Sequence, residues 1–124
     1  MAGSDGRLIC PSAAVIEGGD GVRFSVTHDG ATHSAFAIRY RDQVHAYLNR
    51  CAHRGVELDW VPGRFFDRDG RYLICATHGA LYEPGSGRCA GGPCGGGLVK
   101  LAVIEKNSGI YLVAAGSSDE REQR

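Results

Sequence analysis

Nothing in this 124-residue sequence approaches the roughly 20 consecutive apolar residues that a helix needs to cross a bilayer. Neither sign of charge is in excess, since Lys+Arg and Asp+Glu both number 14. That balance excludes a basic surface built for nucleic acid and an acidic solvating tail. The opening Met1-Ala2-Gly3-Ser4-Asp5-Gly6-Arg7 lacks the charged-then-apolar layout of a secretory signal and any twin arginine. A soluble, cytoplasmic protein is therefore expected. Internal repeats are missing, and so is any pattern for a helix longer than a turn or two.

What is present is glycine and cysteine. Gly accounts for 19 residues, about 15% of the chain against a usual value of roughly 7%. Such a composition favours turns and tight loops, because Gly weakens a helix interior by about 1 kcal/mol relative to Ala. Five cysteines in a cytoplasmic chain point to metal or redox chemistry rather than to a disulfide framework. Apolar residues make up 43% of 13.2 kDa, enough for one modest core, so residues 1–124 are read as a single domain.

Period-2 patterning begins at Val22, Phe24 and Val26, which alternate with Arg23, Ser25 and Thr27 in a half-buried strand. Asp29-Gly30 supplies a hairpin turn. A second strand runs through Phe36, Ile38 and Tyr40 and breaks at Arg41-Asp42-Gln43. A third, residues 44–49, leads straight into Cys51. From 51 to about 97 the periodicity fades and Gly, Pro, Cys and His accumulate, with one hairpin over 65–74 turned at Asp69-Gly70. Patterning returns over 98–105, turns at Asn107-Ser108-Gly109 and ends over 110–114. Residues 116–124 are polar and expected to fray. The outline is a small antiparallel β domain with an irregular insertion, and loops on a rigid scaffold are where chemistry is sought.

Two segments of that insertion stand out, Cys51-Ala52-His53-Arg54-Gly55 and Cys75-Ala76-Thr77-His78-Gly79. Each offers one thiolate and one imidazole at short spacing. Zinc accepts both donors, but its usual spacings pair Cys with Cys and His with His. The mixed pairing, Cys-x-His followed by Cys-x2-His, resembles the Rieske iron–sulfur signature, and the likeness extends to the β scaffold around it.

The resemblance implies an all-β fold, an antiparallel β sandwich with a loop-rich cluster-binding subdomain at about 50–97. It implies one [2Fe-2S] cluster, with Cys51 and Cys75 on one iron and His53 and His78 on the other. Two ferric ions, two sulfides and two thiolates sum to zero charge, so an electron is accepted more easily than by a four-thiolate cluster. Rieske potentials accordingly lie at roughly −150 to +300 mV, against about −400 mV for plant-type ferredoxins.

Membrane-anchored members of the family carry an extra Cys in each loop; the matching places here are Val56 and Thr77. A Ser that donates to a sulfide in high-potential members is replaced by Ala80, whereas their Tyr is matched by Tyr82, positioned to donate to Cys51. One donor lost and one kept predict the lower part of the Rieske range. These features are similar to soluble Rieske-type ferredoxins, which implies a one-electron carrier between a reductase and a terminal oxygenase or related oxidoreductase. Partners would dock near His53 and His78, and no membrane or nucleic acid is involved. Two other readings stay open: a permanently bound subunit of a larger enzyme, similar to the small subunit of a nitrite reductase, and a redox-sensing module. The 21 residues between His53 and Cys75 exceed what is usual in the family, which fits a lengthened 65–74 hairpin.

Further residues follow from position. Pro93, in Gly91-Gly92-Pro93-Cys94-Gly95, matches the family's third loop over the cluster. Trp60 either shields the cluster or packs in the core. Cys89 and Cys94 are close in sequence, yet a cytoplasmic setting predicts free thiols. Cys10 reads as a small buried apolar residue. His28, His33 and His45 lack ligand spacing, and Arg54 and Arg64 are placed on a solvated face. No spacing for flavin, NAD or mononuclear iron is found, and an electron-transfer protein rather than an enzyme is expected.

Overall fold

The computed structural model describes residues 7–28, 30–51, 56–59 and 61–113. His53, Arg54, Trp60 and the 116–124 tail lie outside the described residues. Strand β1 (Arg7–Pro11) runs into a single 3-10 turn (Ser12–Ala14). Strands β2 (Val22–His28), β3 (Ala31–Tyr40) and β4 (Gln43–Leu48) follow as an antiparallel meander. The insertion carries three short strands, β5 (Leu73–Ile74), β6 (Leu81–Tyr82) and β7 (Cys89–Gly91). Three more close the chain, β8 (Lys100–Leu101), β9 (Val103–Lys106) and β10 (Gly109–Leu112).

These strands form three antiparallel sheets, ordered β2-β3-β4-β8, β1-β10-β9 and β5-β6-β7. The all-β architecture expected from the patterning is thus present. His28 pairs with Ala31 at the end of the β2–β3 ladder; Asp29 of the expected Asp29-Gly30 turn lies outside the described residues. Tyr40 pairs with Gln43, so Arg41 and Asp42 form the next turn at φ values of 52° and 68°. Positive φ is costly for residues with a Cβ. Glu17 offsets that cost, its carboxylate accepting the Arg41 N–H at 2.7 Å and the Asp42 N–H at 2.8 Å.

Two features depart from the patterned outline. β1 was not legible because it is bulged between Leu8 and Cys10, and of its five residues only Cys10 is buried. The run over 98–105 is not one strand. It breaks at Ala102, where the chain leaves β4 as the partner of β8 and takes up β10 as the partner of β9. Alternation along a strand reports which side is apolar and says nothing about a change of sheet.

Strand β3 is buried on both sides. Phe36 and Ile38 join Leu58, Phe65, Leu73 and Tyr82 in the largest core cluster, while Ala35 packs with Val26 and Leu48 in another. The Phe36 and Phe65 rings stack at 3.9 Å and 11°. Phe65 opens the expected hairpin, accepting Ile74 N–H at 2.8 Å, with Phe66 bridged to Leu73 and Gly70 in the turn at φ 71°. Arg39 ties β3 to β9 through both carboxylate oxygens of Glu105, at 3.1 and 2.8 Å. Among the described residues no helix is long and apolar enough to cross a membrane.

Candidate metal centre

The two segments singled out by spacing begin from different sheets, and their cysteines make the same closing bond. Cys51 follows the end of β4, and its N–H donates to the Val56 carbonyl at 2.7 Å. Cys75 follows β5, and its N–H donates to the Ala80 carbonyl at 2.9 Å. Each cysteine therefore closes a loop onto the residue five positions later. The second loop is tightened again by Gly79 N–H to Cys75 O at 2.9 Å, with Gly79 at φ 77°, a conformation that a Cβ disfavours. A bond from Ala76 N–H to Leu58 O, 2.9 Å, ties the second loop to the end of the first.

Neither cysteine is in a disulfide, and both are buried, 2% exposed at Cys51 and 1% at Cys75. They face each other closely enough to hydrogen bond. Burial pushes the Cys75 thiol above its ordinary pKa, and the Cys51 sulfur adds to that rise, while the N–H groups of Thr77 and His78 pull it down. The Tyr82 hydroxyl, wholly buried, stands 3.4 Å from Cys51 Sγ. His78 is exposed at the tip of the second loop. Ala80 is fully buried with no hydroxyl to offer a sulfur.

The third loop lies against the second. A Cβ built on Gly92 would meet the Gly79 carbonyl at 2.9 Å and Ala80 Cα at 3.2 Å, so only glycine permits this approach. Pro93 is exposed on the outside of the turn. The free thiols expected at Cys89 and Cys94 are not what the structure contains; the two are joined in a disulfide with Cα atoms 5.9 Å apart. Positive φ at Gly92, 76°, between the two cysteines, turns the chain back so that the two Cα atoms come within bridging range. An argument from compartment addresses redox environment and carries no information about that geometry.

Two polar residues that no spacing pointed to sit at the neck of the first loop. Asn49 and Asp59 are buried at 4% and 6% exposure, and Asn49 Nδ2 donates to Asp59 Oδ1 at 2.9 Å. Arg23 reaches the same place from β2, its Nε 3.6 Å from Asp59 Oδ2 and its Nη2 2.7 Å from Glu57 Oε2. A lone Asn and a lone Asp carry no pattern in sequence, and only the folded neck brings them together.

A family model described as the Rieske [2Fe-2S] domain matches residues 8–105. Among solved structures, the ferredoxin of carbazole 1,9a-dioxygenase from Nocardioides aromaticivorans IC177 is 20% identical, with 86% of this chain and 94% of that chain covered at a TM-score of 0.64. A ferredoxin from Sphingomonas yanoikuyae B1 is also 20% identical, with 88% and 97% covered at 0.65. The terminal oxygenase of the Nocardioides system is 19% identical, with 98% of this chain but 32% of that chain covered at 0.69. No curated protein matches the chain by sequence.

Proposed function

The chain belongs to the Rieske [2Fe-2S] domain family, whose members bind a [2Fe-2S] cluster, and on that premise we propose that it is a soluble, cytoplasmic one-electron carrier. In this reading residues 1–124 are one domain, and 50–97 hold the cluster through Cys51, Cys75, His53 and His78. A reductase supplies the electron, and a terminal oxygenase or related oxidoreductase takes it. The likeness in fold to two ferredoxins, one named as that of carbazole 1,9a-dioxygenase, supports this class of acceptor.

The observation that carries the reading is the pair of buried thiols, neither in a disulfide, facing each other at the roots of two loops closed by the same backbone bond. Such a site fits the cluster chemically. Burial and mutual proximity oppose thiolate formation until a cation replaces the protons, while the N–H groups of Thr77 and His78 are ready to meet negative sulfur. A two-iron centre takes two protein donors per iron, so no grouping of three or more donors is required, and none occurs among the described residues.

When bound, a [2Fe-2S] cluster supplies one-electron redox chemistry. The chain supplies the rest. Cys51 and Cys75 hold the inner side within the core and away from water, and the third loop covers the backbone after His78. Exposed His78 marks the side that a partner can approach. The Tyr82 hydroxyl, donating to Cys51 Sγ, favours the more negative reduced state and raises the potential.

Anaerobic purification followed by iron and sulfide counts and a reduced-state spin-resonance spectrum tests the proposal. Two irons and two sulfides per chain are expected; a colourless protein holding a single zinc would overturn it. The likeness to a terminal oxygenase over 98% of this chain favours one second reading, an electron-transfer module docked permanently on a larger enzyme. Co-elution of the visible absorbance with a larger protein on gel filtration of an extract would favour that reading over a freely exchanging carrier.

A further inference from the structure

Asn49 and Asp59 are a buried amide and a buried carboxylate, 4% and 6% exposed, and they bond to each other. Burying a carboxylate and an amide is expensive unless every polar atom is partnered. Here the partners are specific. Asn49 Oδ1 accepts Leu58 N–H at 2.8 Å, Asp59 Oδ1 accepts Asn49 Nδ2, and Asp59 Oδ2 accepts Gly63 N–H at 2.9 Å. The Asn49 backbone N–H is itself held by Ser34 O of β3 at 2.8 Å.

These bonds form a closure. Asn49 precedes Cys51 by two residues and grips Leu58, seven residues after it, so the whole first loop is pinched at its root onto the base sheet. Leu58 then passes the constraint on, because its carbonyl accepts the N–H of Ala76, the residue after Cys75. A side-chain pair outside both Cys-His segments thus fixes the position of one loop relative to the other.

We propose that Asn49 and Asp59 are positioning residues for the cluster, a clamp that sets the separation of the Cys51 and Cys75 loops, with the Asp59 carboxylate steadied from β2 by Arg23 at 3.6 Å. The inference rests on the electron-carrier reading and deepens it. Residues that orient metal ligands from behind commonly change metal affinity by roughly 10- to 100-fold when replaced. An exchange of the two side chains separates geometry from mere burial. In N49D two carboxylates face each other; in D59N an amide donor is turned toward either the Asn49 amide or the Gly63 N–H. In N49D/D59N the amide–carboxylate pair is rebuilt in reverse, with Leu58 N–H and Gly63 N–H still met by oxygen and the charge count unchanged.

The three variants and the wild type, as full-length cluster-loaded protein, are compared by half-time of cluster bleaching under an iron chelator and by midpoint potential. Each single variant should bleach at least roughly tenfold faster. D59N removes a carboxylate and leaves the Arg23 guanidinium without that counter-charge, so the midpoint should shift upward. N49D/D59N should recover most of the lost half-time and return the midpoint toward the wild-type value. Should a single variant fail to give a cooperative melt, the exchanged pair decides alone. Single variants with the half-time and potential of the wild type, or an exchanged pair as labile as either single, would overturn the clamp. A wild type that never carries iron would instead overturn the electron-carrier reading, so the two failures are told apart.

Discussion

The Tyr82 hydroxyl reaches Cys51 Sγ at 3.4 Å from inside the core, where no water competes for it. A hydrogen bond that strengthens as the sulfur becomes more negative favours reduction. Tyr82→Phe should therefore lower the midpoint by about 40 mV, the one-electron equivalent of about 1 kcal/mol, measured by voltammetry with the visible spectrum retained. His78→Cys should lower it much further, toward the four-thiolate value of about −400 mV, because it exchanges a neutral donor for an anionic one. An unchanged midpoint in His78→Cys protein with a full iron count would rule out His78 as a ligand. The contact of Tyr82 with Cys51 was expected from the family resemblance, and Cys51, Cys75 and His78 were singled out by their spacing along the chain. Asn49 and Asp59 were not, because the nine intervening residues must fold before the two meet.

At the scale of elements, the third loop shows most plainly what local chemistry fixes and what it leaves open. Its glycines announced a turn, but the pairing of Cys89 with Cys94 depends on how far that turn doubles back. Closing so short a loop stabilises by about 2 kcal/mol in the chain-entropy picture. Replacing both cysteines by Ser should cost about that much in denaturant unfolding. It should also hasten cluster bleaching, since this loop covers the backbone beside His78. Equal stability and equal bleaching would show that the disulfide does not brace the loop. The Arg41–Asp42 turn makes a similar point. A break at these residues was legible, yet two adjacent non-glycine residues at positive φ are held by Glu17 from outside the hairpin.

For the molecule as a whole, stability should depend on pH in a way the fold dictates. Burial holds the His45 pKa below its usual value, and the neighbouring Lys100 ammonium lowers it further. The neutral ring at Nδ1 lies 3.2 Å from Lys100 Nζ, which also donates to the Gly85 carbonyl. As pH falls through about 6.5 the unfolded chain takes up a proton that folded His45 refuses, so stability declines until the lower folded pKa is passed. Glu105 acts in the same sense at lower pH. Its hydrogen bonds from Arg39 depress its pKa, so the stability they give is present above about 4.3, the ordinary carboxylate value, and is lost as pH falls through the folded value. Denaturant unfolding between pH 8 and 5 should show the decline, and His45→Gln should flatten it near pH 6; an equally steep curve in that variant would assign the decline elsewhere.

What the sequence determined by itself was whatever depends on neighbours along the chain. The β2-β3-β4 meander follows from alternation, its second break from Arg41-Asp42, and the donor pattern from the intervals between Cys and His. Tertiary structure alone decided which strands share a sheet, the break at Ala102, the Cys89–Cys94 bridge and the Asn49–Asp59 clamp. The physical reason is the same in each case. Sheet partners, bridging distance and the satisfaction of buried polar groups are contacts across the fold, and no local preference of the residues involved encodes them.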